Sequence, residues 1–135
     1  MNSLFKIVID SKAGYQIWES KTHNLQIQYS DIGSGNYYKA LEYVSIDNDW
    51  RLPSLEELKI LYDELHTLGL GNFQTAGKFE NGIYVPIENH HIGMYWSSFN
   101  FKEAKLARRF NFSAGYKDGS MPWDFYGNIR LVRSL

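Results

Sequence analysis

Trp50-Arg51-Leu52-Pro53-Ser54-Leu55-Glu56-Glu57-Leu58 is the stretch that decides how this chain folds. Ser54 followed by Glu57 is a capping box: the serine oxygen takes an orphan amide of the first helical turn, and the glutamate reaches back to the serine amide. Glu56 and Glu57 also set two carboxylates at the positive end of the helix dipole. Pro53 stands just outside the cap, where its missing N–H does no harm. Leu55, Leu58, Ile60, Leu61 and Leu65 supply a buried face, and Gly69 and Gly71 close the helix.

Reading outward, the upstream residues Tyr37, Ala40, Leu41 and Val44 have the spacing of one helical face, so residues 37–44 predict a second helix, ended by residues 47–49. Residues 4–9 predict a strand rich in β-branched side chains. A turn at residues 10–14 leads to a strand pair, 15–19 and 25–29, with Leu25, Ile27 and Tyr29 alternating onto one face. Residues 31–35 form a glycine-rich loop. Downstream, residues 72–89 are polar and glycine-punctuated around a short apolar piece at 83–87. Strands are then expected at 94–99 and 105–112, a turn region of small residues at 113–119, and a last strand at 128–132. Strands, two helices and strands again describe one α+β domain over residues 1–135, with no repeat and no linker.

Composition narrows the function. Of 135 residues, 44% are hydrophobic and 16% aromatic, enough to build a core without a metal or a disulfide. The chain has no cysteine, which removes thiol catalysis and thiolate metal sites. Net charge is -1 and Arg108-Arg109 is the only adjacent basic pair, so no nucleic-acid footprint is expected. No apolar run approaches the roughly 18 residues of a membrane span. The first ten residues lack the apolar core and cleavage site of a signal peptide. The expected location is therefore the cytoplasm, or a particle or the cell exterior by a non-classical route.

Three motifs in order resemble one family: the stretch from Trp50 to Leu58, then Tyr95-Trp96-Ser97-Ser98, then Asn128-Ile129-Arg130-Leu131-Val132-Arg133. They are similar to the bacterial collagen-like adhesin C-terminal domains. That family is similar in turn to the formylglycine-generating, sulfatase-modifying enzymes and belongs to the wider C-type-lectin-like fold. The resemblance runs from near Tyr37 to Leu135. It implies a small twisted antiparallel sheet, two helices beside it and long loops on one side. It also implies binding of sugars, sulfated polysaccharides or proteins through late strands and loops. Residues 1–35 fall outside it and are expected to be an added strand pair or a dimerisation element. The cysteine-dependent activity does not carry over. Calcium would need about six to eight converging oxygens, and Pro86-Ile87-Glu88-Asn89 and Trp123-Asp124 are only fragments of lectin patterns, so no cofactor is expected.

Individual residues divide into scaffold and site. Trp50, Arg51, Pro53, Ser54, Glu57 and Trp96 are expected to be structural. Arg51, Arg130 and Arg133 could instead gather as an anion site. Residues three apart on a strand face opposite sides, however, so Arg130 and Arg133 cannot share one patch unless a bulge intervenes, and both are assigned to the scaffold. Adjacent His90 and His91 point apart on an extended segment, short of the three ligands of a catalytic zinc. Ser97 and Ser98 lack the base and oxyanion hole of a nucleophile, and no enzyme activity is expected. The stretch from Tyr116 to Asn128 mixes aromatics, Asp, Asn and Lys with two glycines and a proline, and it predicts a ligand-facing loop. Its candidate ligand residues are Tyr116, Asp118, Trp123, Asp124, Tyr126 and Asn128, with help from residues 89–95. The expected ligand is a glycan, a polysaccharide or a protein. The alternatives are a structural or assembly subunit, self-associating or built into a larger bacterial or phage complex, and folding back of the same aromatics onto a small sheet.

Overall fold

The computed structural model describes residues 4–46, 49–88 and 90–135. In chain order its elements begin with β1 (Lys6–Ile9), β2 (Gln16–Ser20), β3 (Leu25–Gln28) and β4 (Gly33–Gly35). Two helices follow, α1 (Tyr37–Ile46) and α2 (Leu55–Glu64), then a 3-10 turn at His66–Leu68. The second half is β5 (Lys78–Glu80), β6 (Ile83–Val85), β7 (Met94–Phe101), β8 (Leu106–Asn111), β9 (Tyr116–Pro122), β10 (Gly127–Ile129) and β11 (Val132–Ser134). The architecture is a small α+β fold with mostly antiparallel sheets. One sheet has the order β1-β2-β3-β11, the other β4-β10-β7-β8-β9, and β5 and β6 form a separate hairpin. The β10–β7 pairing is parallel.

The capped helix forms as its sequence dictates. The Glu57 amide donates to Ser54 Oγ at 3.0 Å and the Ser54 amide to Glu57 Oε1 at 2.9 Å. Arg51 grips the same carboxylate with both terminal nitrogens, each at 2.7 Å. Burial pushes Glu57 up, but Arg51 and the Ser54 amide outweigh it and hold the carboxyl below its ordinary value. α2 stops at Glu64, earlier than its glycines suggest. The 3-10 turn intervenes, and Gly69 ends it at φ 77, a left-handed position where glycine carries no Cβ penalty. Immediately before the helix, the Arg51 and Val132 main chains exchange hydrogen bonds of 2.8 and 2.9 Å. The start of α2 and the end of the chain are therefore neighbours.

Three expectations need correction. Residues 31–35 are not all loop, because Gly33–Gly35 forms β4 and pairs with β10, while β2 and β3 are a strand pair that shares a sheet with β11. Residues 128–132 are not one strand. The chain switches sheets at Arg130-Leu131, leaving β10 in one sheet and β11 in the other, and alternation along a sequence cannot register such a switch. Residues 113–119 are not all turn, because the turn is over by Gly115 and β9 starts at Tyr116. The end of α1 that sequence assigned to residues 47–49 falls partly on residues outside those described.

Two apolar clusters fill the fold. One joins α2 (Leu58, Leu61, Tyr62) to Tyr95 and Phe110 of the larger sheet, to Phe112 in the turn after β8, and to Trp18 and Ile27 of the other sheet. The second joins Tyr37 and Ala40 of α1 to Trp96, Trp123 and Ile129. Arg130 lies at the sheet switch with no exposed surface. Its Nε donates to Asp31 at 2.8 Å, and its terminal nitrogens donate to the carbonyls of Gln28, Gly71 and Asn72. Tyr95 Oη donates to the same Asp31 carboxylate and accepts from the Gln74 amide. Burial pushes Asp31 up against the pull of Arg130 and Tyr95. His66 is buried among Tyr62, Phe73, Tyr84 and Phe112. Desolvation pushes its imidazole down to about 4, against a hydrogen bond to the Phe112 carbonyl.

Candidate functional site

Alternation along β7 and β8 sends Tyr95 and Phe110 to the α2 side and Met94, Trp96, Arg109 and Asn111 to the other. α1 covers that second face near Trp96, where Tyr37 meets the indole edge-on at 5.1 Å. Beyond Trp96 a groove lies on this face, over the buried side chains of Met94, Arg109 and Asn111. β9 borders it, with Tyr116 opposite Asn111 in register, and the turn after β9 brings up Phe125 and Tyr126. The result is a groove of about 500 Å³, lined by His91, Met94, Asn111 and Met121 together with Arg109, Asp118 and the three aromatics Tyr116, Phe125 and Tyr126.

Arg109 is the buried charge of this groove. It lies between the rings of Trp96 and Phe125, at 5.7 and 6.0 Å from their centroids. One terminal nitrogen donates to the Tyr126 carbonyl at 2.6 Å, the other to Asp118 Oδ2 at 3.0 Å. Among the described residues its Nε has no hydrogen-bond partner. The guanidinium thus ties the turn carrying Phe125 and Tyr126 to β9 and fixes the aromatic rim over the sheet. Gly127 permits the same approach, since a Cβ there would meet the Trp96 ring at 2.7 Å.

The residues expected at the site divide. Tyr116, Asp118 and Tyr126 line the groove, and Tyr126 is 60% exposed. Asp124 is exposed but is not among the lining residues. Trp123 is only 5% exposed: it packs on Tyr37 and Tyr38, and Lys105 Nζ lies 4.5 Å from its ring centroid. Asn128 is buried and donates to the Met94 carbonyl at 3.1 Å. Trp123 and Asn128 are therefore withdrawn from the ligand-facing set, and the stretch is a strand and a tight turn rather than a long loop. Of the approach expected over residues 89–95, His91 and Met94 line the groove and Asn89 lies outside the described residues. Sequence reasoning missed Arg109, weighed only as half of a basic pair. Its place opposite Trp96 in the β7–β8 register was the signal.

Arg51, Arg130 and Arg133 are held by carboxylates of the fold itself. Arg51 and Arg133 do meet, around a polar hollow with Asp10, Lys12 and Asp49, but each has a carboxylate of its own: Glu57 for Arg51 and Asp10 for Arg133. Arg133 holds the Asp10 carboxyl below its ordinary value. Ser97 Oγ donates to the Arg108 carbonyl. Among the described residues no group of three or more His, Asp or Glu could hold a metal ion, and no helix is long and apolar enough to cross a membrane. No known family model matches the chain, and no curated protein matches it in sequence.

Proposed function

We propose that this chain is a non-catalytic binding module of the C-type-lectin-like kind, and that its ligand lies in the groove between β8, β9 and the turn at Phe125-Tyr126. One observation carries the reading. Tyr116, Phe125 and Tyr126 expose their rings around a hollow whose floor holds the buried Arg109, paired with the half-buried Asp118. Aromatic faces at the rim offer stacking area, and a few fixed polar groups set orientation, the usual division of labour in a recognition site. Sugar rings and extended peptide both suit such a surface, so the ligand class is a glycan, a polysaccharide or a protein segment. The adjacency of Arg51 and Val132 supports the lectin-type scaffold, because it joins the first and third motifs of the resemblance.

A screen against glycan and protein panels, with and without calcium, tests the reading. Binding by the native chain, unchanged by chelator and lost in Tyr126→Ala, is the expected result. A ligand that binds the Tyr116→Ala/Tyr126→Ala double variant as well as the native chain would remove the groove from consideration. The second reading, a structural or assembly subunit, draws on the outer edge of β1, which no strand among the described residues covers.

A further inference from the structure

The two sheets end very differently. β9, the outer strand of the larger sheet, carries Lys117, Asp118 and Pro122 and pairs irregularly with β8 between Arg108 and Phe110. Charges, proline and bulges are the devices that blunt an edge against further pairing. β1, the outer strand of the other sheet, reads Lys-Ile-Val-Ile, pairs with β2 in unbroken register and has no proline. Among the described residues no strand pairs with its far side. Its apolar side chains stand out: Ile7 is 43% and Ile9 61% exposed. The apolar surface continues past Ile7 into a hollow lined by Trp18, Tyr29 and Leu70.

The hydrogen-bond phase of β1 fixes which groups face outward. The Asp10 amide donates to the Tyr15 carbonyl, and the Gly14 amide to the Asp10 carbonyl. Asp10 therefore turns its main chain toward β2, and so, two and four residues back along an antiparallel pair, do Val8 and Lys6. The amides and carbonyls of Ile7 and Ile9 point the other way, to the free edge. Such an edge accepts one more strand.

We propose that the occupant is a second copy of this chain, with β1 pairing antiparallel to β1 across a two-fold axis at Val8. In this register Ile7 of each copy faces Ile9 of the other, and these are the two residues whose main chains are unpaired. Val8 faces Val8, and Lys6 falls opposite Asp10, whose carboxylate is already held by Arg133. Ile7 and Ile9 side chains from both copies form one apolar cluster on the face they share. A register centred on Ile7 would instead set Lys6 against the apolar Val8 and separate Ile7 from Ile9. The two four-stranded sheets become one continuous sheet, and the two grooves remain outside the interface because they belong to the other sheet.

The chain has no cysteine, so Val8→Cys supplies a unique test. Across a non-hydrogen-bonded pair the Cα atoms lie about 4.5 Å apart, within disulfide reach. Under mild oxidation Val8→Cys should convert to a covalent dimer, while a cysteine at exposed Ile83 on the separate hairpin should not. In sedimentation the native chain should show twice the chain mass and dissociate on dilution. Ile9→Pro deletes one outward N–H and no internal bond, and Ile9→Lys sets charge in the shared cluster, so each should sediment as a folded monomer with unchanged circular dichroism. A native chain monomeric at every concentration, or a dimer that survives Ile9→Pro and Ile9→Lys while Val8→Cys fails to cross-link, would overturn the proposal.

Discussion

Arg130 and Arg109 are both buried guanidiniums stacked on aromatic rings, yet they do opposite jobs. Arg130 has every nitrogen engaged, by Asp31 and by carbonyls at the end of β3 and in the loop at Gly71-Asn72, and its guanidinium lies 4.3 Å from the Phe73 ring centroid. Nothing about it faces solvent, and its role is to lock the point where the chain crosses between sheets. Arg109 has two partners and an unpartnered Nε, and it lines an open groove under two exposed rings. A charge completely satisfied by its own fold has nothing left to offer a ligand. One held by two anchors at the wall of a hollow shapes the surface that a ligand would meet.

The strongest test of that contrast is to remove each charge in turn. Arg130→Met strands a buried carboxylate and at least three carbonyls, and chemical denaturation should register a loss of about 3–5 kcal/mol, the cost of breaking a buried pair on one side. Arg109→Met leaves Asp118 near water, and the loss should be smaller, about 1.5–3 kcal/mol by the worth of hydrogen bonds to a charged group. Equal losses would erase the distinction.

His66 sharpens the picture of the closed side. Unfolded, its imidazole protonates near 6.5; folded, it resists until about 4. Between those values the unfolded chain binds the extra proton, so stability falls as pH drops through the window and the contribution levels off below it. The loss is bounded at about 3 kcal/mol, and His66→Phe should flatten the slope in thermal melts recorded from pH 7 to 4. Asp10, held low by Arg133, adds a further loss at still lower pH. Ser54→Ala should cost about 1 kcal/mol in the same denaturation assay through the lost cap. Smallest of all, Tyr126→Ala should change stability by no more than about 0.5 kcal/mol, since the ring is exposed, while abolishing ligand capture.

What could be seen in the sequence was local. The capping box, the strand pair before the glycine loop and the two strands flanking residue 100 all come from patterns within a few residues of one another. Long-range polar pairing was hidden: Arg130 finds Asp31 at the far end of the chain, and no spacing rule links them. The mixture of aromatics, polar residues, glycines and a proline in β9 reads as a loop, but an edge strand tolerates Gly119 and Pro122 where an interior one would not. The polar neighbours of Trp123 give no hint of its burial. The alternation of Met121 and Trp123 inward with Pro122 and Asp124 outward places it in the α1 cluster instead. Half of the candidate site was visible as an aromatic, charged stretch; its floor was not, because Arg109 belongs to another strand.

The central claim is that recognition happens on the open face of the larger sheet. Backbone amide shifts followed by NMR during titration of a ligand from the panel screen address it directly. Perturbations should concentrate at Arg109, Asn111, Tyr116, Asp118 and Tyr126 and leave Asp31 and Arg130 still. Shifts centred on the Asp10–Arg51–Arg133 hollow or on β1, with the groove silent, would contradict the account.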